Sequence, residues 1–189
     1  MGLLDILRGE RRPRRPDLDK LFAISTAEGT LVIDLALRPS GKAGVCFKPV
    51  QMAQFDELMR ELDELLAISE RTSGTRMRRS QDDLGFTWIV LEDEDLPDLV
   101  TTVHLVNRTL EERGFGEQLL CSVFGFANEA GPVLLVYGYK RGSFYPFVPR
   151  GDRTRDTPTE LRLQAALGRE LPIEAELERW FPVWGAPVT

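Results

Sequence analysis

The sequence predicts an α+β fold: a single domain over residues 17–189, built as a two-layer antiparallel sheet with helices packed on it, behind a basic amphipathic segment and linker at residues 1–16. Three observations point there. Residues 118–126 and 132–139 are apolar segments separated by Ala127-Asn-Glu-Ala-Gly131, the pattern of an antiparallel hairpin. Residues 51–69 place Met52, Phe55, Leu58, Met59, Leu62, Leu65 and Leu66 at helical spacing, with acidic residues on the other face. The helical segments are separated by neighbouring β-type runs, which favours an antiparallel sheet covered by helices.

Along the chain, residues 17–22 are read as one helical turn. Leu31, Ile33, Leu35 and Leu37 fall on alternate positions and predict a half-buried strand over residues 30–37. Arg38-Pro-Ser-Gly-Lys42 is read as a turn, and residues 44–48 as the returning strand of a hairpin. After the helix at 51–69, the polar residues 71–79 are expected to form a loop ending in an edge strand. Phe86-Thr-Trp-Ile-Val-Leu91 is a compact β-type run.

A second helix follows the acidic run Glu92-Asp-Glu-Asp95, with Leu96, Leu99, Val100, Val103, Val106 and Leu110 on its buried stripe. Asp95 is its expected N-cap, Pro97 is tolerated in its first turn, and Gly114 suits the residue past its end. The hairpin comes next. Thr157-Pro-Thr-Glu160 has the form of a capping box opening a helix to about residue 167, and a shorter helix is expected at 174–180.

The 24 basic and 30 acidic residues give a net charge of -6, which argues against a general nucleic-acid surface. Charge is unevenly placed, however. The first sixteen residues carry five Arg against Asp5 and Glu10, or +3, and the remainder carries 19 basic and 28 acidic groups, or -9. Leu3, Leu4, Ile6 and Leu7 beside Arg8, Arg11, Arg12, Arg14 and Arg15 form a candidate contact for an anionic membrane surface. Pro13 and Pro16 disfavour helix continuation, leaving an extended basic linker. No run approaches the roughly 20 apolar residues needed to span a bilayer. The N-terminus also lacks an apolar region long enough for a secretory signal, so a cytoplasmic protein, peripheral at the inner membrane, is expected.

Catalytic signals are few. The one histidine, His104, borders a buried helix stripe and is read as structural. Cys46 and Cys121 sit in apolar runs without the spacing of a zinc site or a disulfide framework, and are read as buried free thiols. Residues 92–95 do not match a calcium loop and are read as a solvated helix start. No catalytic residue, metal site or cofactor is assigned.

The candidate interaction residues lie in the last third of the chain. Gly138-Tyr-Lys-Arg-Gly142 offers two cations on a turn, without the context of a phosphate loop. Around it stand Tyr139, Lys140, Arg141, Phe144 and Tyr145, and further on Trp180 and Trp184. These aromatics either close the core or form a contact patch, and both readings stay open.

Short motifs are spread over nearly the whole chain: the Met1-Gly-Leu-Leu-Asp5 start, Leu18-Asp-Lys-Leu-Phe22, Gly44-Val-Cys-Phe47, Gly85-Phe-Thr-Trp88 and Gln118-Leu-Leu-Cys-Ser122. The most specific are Tyr139-Lys-Arg-Gly142 with Phe144-Tyr-Pro-Phe147, and Arg179-Trp-Phe-Pro-Val-Trp-Gly185. In these pieces the chain resembles the PspA-associated PspAB family. The resemblance implies a place in the envelope-stress, or phage-shock, system in company with PspA and often with a membrane zinc metalloprotease of the HtpX type. It carries no enzymatic activity to these residues. The leading expectation is a non-enzymatic adaptor or regulator binding PspA or another envelope-stress protein. The alternative is a small-molecule or anion sensor, which a deep pocket lined by Tyr139, Arg141 and Tyr145 would favour over a flat apolar patch.

Overall fold

A computed structural model describes residues 17–188. The proposed membrane-contact residues Leu3, Leu4, Ile6, Leu7, Arg8, Arg11, Arg12, Arg14 and Arg15 lie outside the described residues. Six strands form one antiparallel sheet in the order β2-β3-β1-β4-β5-β6. They are β1 (Arg38–Phe47), β2 (Arg76–Gln81), β3 (Thr87–Glu92), β4 (Leu119–Asn128), β5 (Gly131–Gly138) and β6 (Ser143–Phe147). A small second sheet pairs β7 (Pro149–Arg150) with β8 (Thr154–Arg155). The α+β expectation holds.

The helices cover one face. α1 (Ala23–Thr26), α2 (Ala53–Ser73), α3 (Leu96–Glu112) and α4 (Thr157–Leu167) bury their apolar stripes against the inward residues of the strands. In α2 these are Phe55, Leu58, Met59 and Leu62, and the helix stops at Gly74, whose φ of 84° suits a residue without Cβ. In α3 the Asp95 carboxylate accepts from the backbone N–H of Asp98 at 2.9 Å, as a cap should. Phe47, Phe55 and Phe115 meet edge to face beneath the sheet.

Four local expectations are corrected. Residues 30–37 are not a strand: Leu18–Phe22 form a 3-10 turn, and Thr30–Asp34 a π-helical turn after α1. Ala27, Leu31 and Leu35 recur every four residues and face the core, while Ile33, which the strand reading turns inward, is 80% exposed. The expected turn at 38–42 is instead the first half of β1, where a bulge against β4 lies between Pro39 and Ala43. Gly41 adopts φ 73° there, and its carbonyl accepts from Asp93 N at 3.0 Å. Finally, α4 is capped by Asp156, which accepts from Thr159 N at 3.0 Å, and Thr157 is already helical. Of the short helix expected at 174–180, only a 3-10 turn at Leu177–Arg179 forms.

Candidate functional site

The sheet's other face is also apolar. Trp88 and Val90 of β3, Cys46 of β1, Cys121 of β4, Val136 of β5 and Tyr145 of β6 point outward. What covers them is the segment after α4. It docks beside β6 through Phe144, which donates to the Pro172 carbonyl and accepts from Glu174 N, both at 2.8 Å. Beyond that point Trp180, Ala186 and Val188 are buried on the sheet.

Polar anchors hold this cover. Trp180 Nε1 donates to the Glu174 carbonyl at 3.0 Å, and the Tyr145 hydroxyl donates to the Phe181 carbonyl at 3.0 Å. Arg155 Nη1 donates to the Trp180 carbonyl at 2.8 Å. The same arginine gives Nε to both oxygens of the fully buried Glu160 at 2.8 and 3.0 Å, and Glu160 also accepts from Val148 N at 2.8 Å. Its guanidinium stands 5.1 Å from the Phe147 ring centroid, in cation–π range. Arg78 Nη2 donates to the Pro187 carbonyl at 3.2 Å. Val188 lies over two strand glycines, because a Cβ on Gly125 would come within 2.6 Å of its carbonyl oxygen and one on Gly44 within 2.9 Å of its Cγ1.

The cover leaves a cavity of about 650 Å³ between itself and the outer face. Its walls are Phe86, Trp88, Leu120, Tyr145, Phe181 and Trp184, its floor includes Cys46 and Cys121, and its rim carries Lys140, Arg141, Arg179, Asp82 and Glu174. That volume falls in the range of small-molecule sites, about 300–1,000 Å³. Some of the rim charge is already committed. Arg179 is 2.6 Å from Glu176 and 3.7 Å from Glu174, while Asp82 accepts from Trp88 Nε1 and from the backbone of Leu84 and Phe86. Lys140 and Arg141, on the β5–β6 turn, make no ion pair among the described residues. Lys140 and Arg141 therefore stand as two cations without an ion-pair partner among the described residues, beside an apolar chamber.

A wider opening of about 1050 Å³ lies at the other end of Lys140, lined by Asp17, Asp19, His104, Glu111, Glu117 and Tyr139. His104 Nε2 there sits 3.4 Å from Asp19 and its ring 4.9 Å from Phe22. Tyr139 is fully committed inside the protein: its hydroxyl bonds Ser122, which in turn is 3.4 Å from Asn107 Nδ2. Burial holds the Tyr139 phenol well above its ordinary range, so it stays neutral.

The candidate residues are thus divided. Tyr139, Phe144, Tyr145 and Trp180 are interior, so the aromatic cluster closes the core and does not present itself as an exposed patch. Phe144 belongs to the helix-side core, whereas Tyr145 and Trp180 stack with centroids 6.2 Å apart in the outer one. Trp184 is half-buried, meets Phe147 edge to face at 4.8 Å, and lines the cavity with Tyr145. Lys140 and Arg141 are exposed at its rim. Of the pocket residues named from sequence, Arg141 and Tyr145 share this cavity and Tyr139 does not. Trp88 as a cavity wall and the Arg155–Glu160 pair escaped sequence reading. A buried salt bridge has no local signature, though Arg155 five residues before Glu160 at a helix start is a weak one. Cys46 and Cys121 are buried free thiols, as read, but they stand directly opposite each other in the β1–β4 register.

A family model described as PspAB, PspA associated protein B, matches residues 1–188, nearly the whole chain. The chain belongs to the PspAB family. No curated protein and no solved structure matches it. The family's description associates it with PspA, consistent with a role in envelope stress. Among the described residues of this PspAB protein, no helix is long and apolar enough to cross a membrane.

Proposed function

We propose that this PspAB protein is a non-enzymatic adaptor or regulator of the PspA envelope-stress response, working on the cytoplasmic side of the inner membrane. The observation that carries the reading is the family match over residues 1–188, whose description names PspA as the associate. The residues support it in kind, since the conspicuous aromatics serve to hold a covering segment rather than to form an acid–base or nucleophilic centre. Affinity capture with the intact chain from membrane-stressed cells tests it. PspA is the expected co-purifying protein; its absence, when PspA is abundant in the input, overturns the reading.

Recruitment to the membrane is assigned to the N-terminal segment. Roughly 1 kcal/mol per basic residue near an anionic surface, with shallow insertion of Leu3, Leu4, Ile6 and Leu7, gives reversible binding. The intact chain should sediment with anionic vesicles and a chain beginning at Asp17 should not. Equal sedimentation would refute it.

One observation favours a second reading, that of a ligand sensor: the cavity of about 650 Å³ with Arg141 and Lys140 at its rim and Tyr145 and Trp184 in its walls. That chemistry fits a small anion with an apolar body. Titration with a fluorescent aromatic sulfonate should give a single saturable site that Arg141→Glu weakens at unchanged thermal stability. Binding unaffected by Arg141→Glu would remove the sensor reading and leave the adaptor reading standing.

A further inference from the structure

The chain's two cysteines lie far apart in sequence, and the fold makes them neighbours. Cys46 on β1 and Cys121 on β4 are paired residues of an antiparallel ladder, both on the outer face, both on the floor of the cavity. Cys121 is the foremost influence on the Cys46 thiol, which it pushes upward. Directly opposed residues in such a ladder have Cα separations of about 4.5–5.5 Å, inside the window a disulfide accepts, and Cβ atoms about 4.5–5.5 Å apart, which must close to about 3.5–4.5 Å for the bond to form. The register slips between Cys46 and Phe47, so the rung sits beside an irregularity of the ladder.

We infer that Cys46 and Cys121 form a dithiol switch that a small-molecule disulfide, entering the cavity, converts to a cross-strand disulfide. The order of events follows from access. Cys121 is 9% exposed and Cys46 is 3% exposed, so Cys121 meets the oxidant first. Its thiol yields a proton to water, and the resulting thiolate attacks one sulfur of the oxidant RSSR. The S–S bond breaks, and the departing thiolate is protonated to RSH. Cys46 then loses its proton and attacks the Cys121 sulfur of the mixed disulfide, which expels the second half as RSH. Two protein thiols are thereby oxidised by two electrons, and one RSSR is reduced to two RSH.

The influence of Cys121, followed by burial, pushes the Cys46 thiol upward, which keeps it protonated and slow to react at rest. Once Cys121 carries the mixed disulfide, its thiol no longer raises Cys46. Cys46 is then held beside its target, so proximity compensates for a small thiolate fraction. The rim cations Lys140 and Arg141 favour oxidants bearing carboxylates. Because the rung forms the cavity floor, oxidation would couple redox state to whatever the cavity holds. This inference is independent of the PspA reading.

The test uses the intact chain and oxidised glutathione, an anionic disulfide, with hydroxyethyl disulfide as the uncharged comparison. Under conditions where circular dichroism shows native protein, the mass should fall by two hydrogens and peptide mapping should link Cys46 to Cys121. Cys46→Ser should stop at a stable glutathione adduct on Cys121. Arg141→Glu should slow the reaction with oxidised glutathione by about tenfold while leaving that with hydroxyethyl disulfide unchanged. Failure of the folded wild-type protein to cross-link, or linkage only between molecules, would overturn the inference whatever the variants do. An Arg141→Glu protein that reacts with both disulfides as wild type does would overturn entry through this cavity.

Discussion

Removing the Glu160 carboxylate, as in Glu160→Ala, should be the most damaging single change at a charged residue in this protein. Glu160 is fully buried and accepts from Arg155 Nε, again from Arg155 Nε through its other oxygen, and from Val148 N. Arg155 Nη2 also lies 2.8 Å from Glu160 Oε2, close enough for ion pairing without the alignment of a hydrogen bond. Alanine strands a backbone N–H and leaves a guanidinium unpaired. Breaking a buried pair costs about 3–5 kcal/mol, and because the Arg155 side chain keeps 24% of its exposure, water relieves part of that and the lower end applies. A loss of about 3 kcal/mol corresponds to a fall in Tm of about 6–12 °C for a chain of this size. Urea unfolding followed by tryptophan fluorescence measures it directly, since Trp88, Trp180 and Trp184 all belong to the outer-face cluster. The pair Arg155→Met with Glu160→Leu should recover much of the loss, because it removes both charges together. A single-variant loss below about 1 kcal/mol, the level of an exposed ion pair, would refute the view that this pair clamps the covering segment.

Gly125→Val places side-chain atoms where the Val188 carbonyl and the Lys42 carbonyl already sit, so the end of the cover should lift, at a cost of about 1–3 kcal/mol and with faster proteolysis near the C-terminus. Asp95→Ala should cost about 1 kcal/mol in urea unfolding through loss of the α3 cap, and a change under a few tenths would count against that cap. The Asp156 carboxyl is held below its ordinary value of 3.8, first by the Thr159 backbone N–H, then by the Thr159 hydroxyl and Arg150. A depressed carboxylate stabilises the fold above its unfolded pKa and loses that contribution as pH falls through the folded one. Asp156→Asn should therefore flatten the decline of Tm below about pH 4, and an unchanged acid profile would contradict the assignment.

Much of the fold was legible because its signals are local. The α3 cap and stripe, the α2 stripe and the β4–β5 hairpin each follow from residues within one element. The error at 30–37 arose because Leu31, Ile33, Leu35 and Leu37 fit a strand, while Ala27, Leu31 and Leu35 fit a helix equally well. Only the exposure of Ile33 separates the two. β6 has no place among the elements read from the sequence, and it contains Pro146. That proline is tolerated because β6 lies at the edge of the sheet, where a missing donor breaks no ladder. The candidate site was legible in composition and illegible in placement. Its aromatics were visible, yet whether Tyr145 and Trp180 face solvent or each other depends on a segment after α4 returning across the sheet. The Cys46–Cys121 rung likewise depends on the register between two strands far apart in the chain.

The central claim is that this PspAB protein acts by binding PspA, and titration calorimetry of the purified intact chain into purified PspA tests it most directly. A saturable complex of fixed stoichiometry, formed without added membrane, is the predicted result. No heat and no co-migration, with a PspA preparation that still binds anionic vesicles, would contradict it.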